Sequence, residues 1–341
     1  MNESVAPLNE RPLSRLTPVS FDAIELDTSL RYLVKGIVPR EGLTVLWGPP
    51  KCGKSFIAFD IMMHVALGWS YRDRKVVQGP VVYVACEGGY GFKARVEAFR
   101  QLRLAEEHQT VPFYLVPTRL DLVAEHKDLI SIVSRTLGGQ KPVAVVLDTL
   151  NRSLTGSESS DEDMTAYVRA ADSVCEAFNC AVVVVHHCGI ESSRPRGHTS
   201  LTGAADAQIA VKRNAAGTIE ANVEFMKDGP EGDSFAGRLE SVQVGLDDDG
   251  EPITSCVVEP VDPITDFRDS SGPKLTPNQD TMLSILIEAG PGGRDVEKWN
   301  EEARDVGIGI KRKATLHDIR NGLKKKGLVH TTMGRWYVTN V

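Results

Sequence analysis

No stretch of about 18 consecutive apolar residues occurs in this chain, so a membrane-crossing helix is not expected. The opening, MNESVAPLNERPLSRL, lacks the basic-then-apolar layout of a secretory leader, and a cytoplasmic protein is the expectation. Cysteine is sparse: Cys52, Cys86, Cys175, Cys180, Cys188 and Cys256 are spread thinly and mostly lie in apolar stretches, which excludes a disulfide framework and implies free thiols. Positive charge is not in excess either. With 39 basic against 46 acidic residues the net charge is −7, which argues against a surface coated for non-specific nucleic-acid binding. No internal repeat is evident.

What remains is a chain of 341 residues, 41% hydrophobic and 25% charged, enough for one large core of about 250 residues plus a smaller module. The average charge conceals a split. From Gly309 onward eight Lys/Arg face one acid, Asp318, a local +7 that leaves −14 on the rest and points to a basic tail module with its own partner.

Residues 1–30 are polar, contain proline and show no sustained period, and read as a loose arm. Residues 31–260 read as a core. Apolar runs at Leu43–Trp47, Val81–Cys86, Phe113–Val116, Val143–Leu147 and Ala181–His186 alternate with segments of helical period at Lys54–Leu67, Gly91–Leu102, Glu125–Leu137 and Asp161–Phe178. Continuous apolar strands separated by helices predict an α/β fold, with a mostly parallel sheet buried on both faces. After Gly189–Gly203 the rhythm changes to consecutive strands near Ala207–Arg213, Thr218–Lys227, Phe235–Val244 and Ile253–Val258, an antiparallel extension of the same sheet. Residues 261–274 read as a linker. In 275–341, Thr276-Pro277 opens one helix, Val296–Arg304 and Ala314–Lys326 give two more, and strands flanking Thr332-Met333-Gly334 close them, the pattern of a winged helix-turn-helix.

The strongest motif is Gly48-Pro49-Pro50-Lys51-Cys52-Gly53-Lys54-Ser55, with Phe56 next, placed after an apolar strand and before a helix. Its glycines let backbone amides curl around a phosphate, Lys54 neutralises the β and γ oxygens, and Ser55 ligates Mg²⁺, so ATP and Mg²⁺ are the expected cofactors. Val143–Asp148 is an apolar strand ending in a carboxylate, and Asp148 is expected to orient the magnesium unless it merely caps the strand. Val81–Glu87 places a second carboxylate at a neighbouring strand end. Glu87 is the candidate to activate the attacking water, the competing role being a cap on the next helix. Ala181–Cys188 ends in His186-His187-Cys188, where His187 is positioned to sense the γ-phosphate; the cysteines and histidines around it form no recognised closed zinc spacing.

Together GPPKCGKS, VVYVACEGG, VVLDTLNRS and VVVVHHCG followed by RGHTSLTGAADAQIAVKR resemble the RecA-like motor fold, and within it the RepA-type hexameric helicase family with its related mobile-element ATPases. The resemblance spans about Leu33 to Val258. It implies a homo-oligomer, a six-membered ring with ATP at subunit interfaces, and channel loops at Asn151–Asp163 and Ile190–Thr202 with Arg152, Arg194 and Arg196 as phosphate contacts on single-stranded DNA. The segment Phe225–Gly232 is similar to the hairpin that carries a paired Lys-x-Arg element in replicative ring helicases, but Phe225 stands at its first position. That leaves Lys227 as a trans-acting finger, Arg213 as its substitute, and a solvated strand-edge cation as the rival role of each. Lys313, Arg320 and Lys324 would contact duplex phosphates from the third helix of the tail, with Arg335 on the wing; the alternative is a protein-binding winged helix with a solvated basic face.

The function expected is Mg²⁺-dependent ATP hydrolysis coupled to DNA binding or translocation, of the plasmid or phage replicative helicase type. The alternative is an ATP-switched DNA-binding regulator or initiator. A small-molecule kinase is disfavoured because no lid-like, arginine-bearing segment is found.

Overall fold

The computed structural model describes residues 18–25, 31–87, 89–104, 110–188, 195, 197–261, 275–309, 313–332 and 334–339. Arg194, Arg196, residues 262–274 of the expected linker and residues 1–17 and 26–30 of the expected arm lie outside them. The chain divides into two compact units, Met1–Pro263 and Ile264–Val341.

In the first unit a short hairpin, β1 (Tyr32–Val34) and β2 (Val38–Pro39), precedes β3 (Gly42–Gly48) and α1 (Lys54–Leu67). There follow β4 (Val81–Ala85), α2 (Gly89–Arg103), β5 (Phe113–Val116), α3 (Leu122–Thr136), β6 (Ala144–Asp148), the one-turn α4 (Leu150–Ser153), α5 (Asp161–Phe178), β7 (Ala181–His187) and α6 (Thr199–Ala204). β8 (Ala207–Arg213), β9 (Ile219–Met226), β10 (Ser234–Leu246) and β11 (Pro252–Val261) end the unit. Nine strands form one sheet in the order β11-β10-β9-β8-β3-β7-β6-β4-β5. β3 through β8 run parallel, and β9, β10 and β11 extend the sheet antiparallel. This is a mostly parallel α/β core with an antiparallel extension, as the alternation of strands and helices predicts.

The central strands are apolar throughout because both faces are covered. Along β7, Val183 and Val185 join the layer beneath α1 and α2, whereas Val182 and Val184 join the layer beneath α3 and α5. Local chemistry fixes the helix starts. The Asp121 side chain accepts the amides of Val123 and Ala124 at the head of α3. Ser160 accepts the Asp163 amide at the head of α5, where three acids complement the helix dipole.

In the second unit, α7 (Pro277–Glu288) starts with a capping box between Thr276 and Gln279 and proline in its first turn. β12 (Arg294–Asp295), α8 (Val296–Asp305), α9 (Lys313–Lys325), β13 (Val329–Thr332) and β14 (Arg335–Val338) follow, with the three strands ordered β12-β14-β13. Its own core gathers Met282, Leu286, Trp299, Leu316, Leu323 and Trp336.

Trp299 is fully buried, its ring lies 5.7 Å from that of Trp336, and its Nε1 donates to the Met282 carbonyl at 2.9 Å. Trp299→Ala therefore removes a large apolar side chain together with its hydrogen bond, a cost of about 3–5 kcal/mol. Thermal unfolding should show the transition of the second unit lowered or lost while that of the first is unmoved.

Candidate active site

Register explains why residues distant along the chain meet. Gly48 is level with His187 across β3 and β7, Asp148 with Val185 across β6 and β7, and Ala85 with Asp148 across β4 and β6. The carboxyl ends of these strands therefore form a single edge, where ligands of open parallel sheets bind.

The turn after β3 is built around close backbone approaches. A Cβ at Gly48 would stand 2.1 Å from the Val211 carbonyl oxygen, and one at Gly53, whose φ is +105°, would stand 2.3 Å from Ile219 Cδ1. The Cys188 amide donates to the Gly48 carbonyl at 3.0 Å, and Cys52 Sγ donates to the Val211 carbonyl at 3.4 Å, fixing the turn to its neighbours. α1 starts directly at Lys54, with the amides of Phe56 and Ile57 on the Gly53 carbonyl, so its positive end faces the loop. The Phe56 ring lies beneath the Arg95 guanidinium, 4.3 Å from ring centre to Cζ.

Lys54 is 4% accessible. Its ammonium donates to the carbonyls of Gly48 at 3.0 Å and Pro49 at 2.7 Å, and stands 3.4 Å from His187 Nδ1. Burial lowers its pKa, with nearby Cys52 and Asp148 acting in the opposite sense. Burial also lowers the pKa of His187, and Lys54 adds to the effect. Both effects favour the neutral imidazole.

Asp148 is held by two hydroxyls: Ser55 Oγ donates to Oδ1 at 3.0 Å and Tyr83 Oη to Oδ2 at 2.7 Å. Burial raises the Asp148 pKa and the two hydroxyl bonds oppose that shift. A hydroxyl beside a carboxylate oxygen is a hard-oxygen pair of the kind Mg²⁺ takes, so the residues present fit that ion. Glu87 stands exposed just past β4, and its Oε1 accepts from Thr149 Oγ1 at 3.0 Å. The Cys86 amide donates to the Asp148 carbonyl at 2.7 Å and keeps the two acidic tips together. Tyr83 and Thr149 were not singled out by the sequence reading. Tyr83 is concealed in an apolar run, while the hydroxyl directly after Asp148 was a visible signal for Thr149.

The remaining candidates are dispersed. Arg213 lies at the same end of the sheet as Gly48, exposed, with its Nε donating to the Gly217 carbonyl at 3.2 Å. Lys227 lies at the opposite end, where its amide bonds the Asp206 carbonyl and its ammonium pairs with Asp206 Oδ1 at 3.0 Å. Arg152 is exposed on α4. In the second unit, Lys313 opens α9 and Lys324 is exposed, 5.9 Å from the Trp336 ring centre. Arg335 is exposed but turned back, donating to the carbonyls of Gly292 and Gly293. Arg320 corrects the expectation of a phosphate contact: it is 7% accessible and donates to Asn300 Oδ1, so its guanidinium belongs to the interior of the unit. Among the described residues no group of three or more His, Cys, Asp or Glu is placed to hold a metal ion, and no helix is long and apolar enough to cross a membrane.

A glycine turn at a helix head, with a buried lysine, a Ser–Asp pair and a second carboxylate on one sheet edge, defines a P-loop nucleotide-binding ATPase domain. Residues 9–193 match the family model described as AAA domain, more than half of the chain, and the chain belongs to that family. Among solved structures the crystal structure of the RadB recombinase is similar at 19% identity and a TM-score of 0.43, over 58% of this chain and 87% of that one. No curated protein matches.

Tyr83→Phe leaves Asp148 Oδ2 without its hydroxyl donor, and urea denaturation should register a loss of about 1–3 kcal/mol. The depressed His187 pKa has a definite sign. The unfolded chain takes up the proton first once pH falls below about 6.5, its ordinary value, so this group's contribution to stability declines with acidification from there. Between pH 7 and pH 5 the wild type should lose more stability than His187→Gln, measured as the difference in thermal midpoint at each pH.

Proposed function

We propose that this chain is a Mg²⁺-dependent ATPase whose turnover is coupled to DNA, working as a homo-oligomer, a hexameric ring of the RepA-like replicative helicase type. The observation that carries the reading is the meeting of the Ser55–Asp148 pair and the Glu87–Thr149 pair at one sheet edge, beside the glycine turn. Glu87, exposed and held at one oxygen by Thr149, has its other oxygen available to orient a water and take its proton as that water attacks the γ-phosphate. Lys54 exchanges its carbonyl partners for phosphate oxygens as ATP enters. Ser55 and Asp148 would hold Mg²⁺, which when bound supplies charge neutralisation to the phosphates. His187, neutral and 3.4 Å from Lys54, feels the ammonium shift toward the phosphate. A neighbour's Lys227 or Arg213 would complete the charge stabilisation.

Support for a DNA partner comes from the +7 tail and from the order helix, strand, helix, helix, hairpin in the second unit, which we read as a winged helix-turn-helix. With Arg320 interior, the exposed face of α9 offers Lys324, Lys325 and Asn321 to a duplex, and Arg152 faces a single strand in the core. A second reading, an ATP-switched DNA-binding regulator without unwinding, is favoured by the Lys227–Asp206 ion pair, which engages the one cation left in the expected finger element.

ATP turnover of the wild type, Lys54→Ala and Glu87→Gln, each with and without single-stranded DNA, tests the proposal. Lys54→Ala should lose nucleotide binding. Glu87→Gln should bind ATP but turn over at least about 10²-fold more slowly, the scale of a positioned proton acceptor. Wild-type turnover should rise with single-stranded DNA. Equal activity in all three proteins refutes the assignment, and indifference to single strands combined with strand-displacement failure favours the regulator.

A further inference from the structure

Two segments leave the nucleotide edge, one after Asp148 and one after His187, and they are clasped to one another at Glu158. This side chain is 7% accessible, and its Oε1 accepts from Asn151 Nδ2 at 2.8 Å. Its backbone carbonyl accepts the His198 amide at 2.7 Å. Gly197 takes φ +93°, and a Cβ there would stand 2.3 Å from that carbonyl oxygen, so the approach requires glycine. The clasp continues through Ser200 Oγ, which donates to Asp161 Oδ1 at 2.7 Å, and through His198 Nδ1, 3.2 Å from the same oxygen.

On its other side the clasp connects to the acidic edge. Asn151 belongs to α4, a single turn with no stability apart from its contacts. The amides of Arg152 and Ser153 both donate to the Thr149 carbonyl at 3.1 Å, and Ser153 Oγ donates to it at 3.0 Å, so the turn moves with Thr149. Thr149 Oγ1 is the donor to Glu87. An unbroken series of short bonds thus runs from Glu87 through Thr149, the α4 turn, Asn151 and Glu158 to His198 at the head of α6.

We propose that Glu158 is a positioning residue that transmits the nucleotide state of the Glu87 edge, by way of Thr149 and Asn151, to residues 197–204. This rests on the reading above that Glu87 acts on ATP at that edge. A buried carboxylate that gives up a donor without replacement pays a desolvation cost, so Asn151 and Glu158 shift together rather than separate. The Glu158 main chain carries the His198 amide with it, and the head of α6 follows.

Amide hydrogen exchange with and without Mg²⁺ and a non-hydrolysable ATP analogue tests the relay in the wild type, Glu158→Ala, Glu158→Gln and Asn151→Ala. Nucleotide should change exchange at 197–204 in the wild type. Glu158→Ala and Asn151→Ala should lose that response, while the amides of Ala144–Asp148 keep wild-type protection as the control for an intact fold. Glu158→Gln, which preserves an acceptor for Asn151, should retain the response. Asn151 is exposed, so its variant decides the matter if Glu158→Ala does not fold. A wild-type-sized response in Asn151→Ala or in a folded Glu158→Ala, or none in the wild type, overturns the relay. In parallel, the ratio of ATP turnover with poly(dT) to turnover without it should fall towards one in Glu158→Ala. Equal stimulation of that variant and the wild type overturns the relay alone. A wild type that ignores DNA while residues 197–204 still respond to nucleotide refutes the DNA-coupled reading and leaves the relay supported.

Discussion

The Asp148 carboxylate, 6% accessible and gripped by one hydroxyl from α1 and another from β4, is the constraint around which the nucleotide edge is arranged. An ionised carboxylate taken out of water is costly unless donors meet it, and here each oxygen has a hydroxyl donor. Those two bonds dictate position as well as energy. Ser55 is available only if α1 starts directly after the glycine turn, and Tyr83 only if β4 lies beside β6 in its observed register. Once both hold, the tip of β4 carries Glu87 to Thr149, and the tip of β7 carries His187 to Lys54.

The apolar layers serve this geometry by fixing height. The central parallel strands β3, β4, β6 and β7, buried on both faces, cannot slip by one residue without turning an inward side chain toward the wrong layer, so the strand ends stay level. The charged residues of the site stand at the ends of the strands, where the backbone leaves the sheet and side chains can turn toward one another. The antiparallel strands β9 to β11 add breadth, and Ile219 of β9 closes against Gly53 of the glycine turn.

Much of this was legible in the sequence because the decisive residues are local. The glycine turn, Asp148 and Glu87 each stand at the end of an apolar run, and a run followed by a carboxylate is visible without knowing the partner strand. Strand limits differed by one to three residues, and the hairpin at Tyr32–Pro39 escaped notice because each of its strands has only two or three residues. Tyr83 was illegible for a different reason: in VVYVA it reads as one more apolar side chain, and its hydroxyl acquires a role only through pairing with a strand some sixty residues later. Arg320 was misjudged by weighing charge above period. Leu316, Ile319 and Leu323 mark the inward stripe of α9, and position 320, four after 316, lies on the same stripe.

The ammonium of Lys54 already has two oxygen partners of its own, the carbonyls of Gly48 and Pro49. Any incoming anion must therefore outcompete two carbonyl bonds to a charged donor, each worth about 1.5–3 kcal/mol. Chloride offers the lysine a single point contact, whereas a chain of phosphates offers several charged oxygens to the lysine and the loop amides at once. Having carbonyls to fall back on, the cradle favours an anion by the number of contacts it can make as well as by its charge.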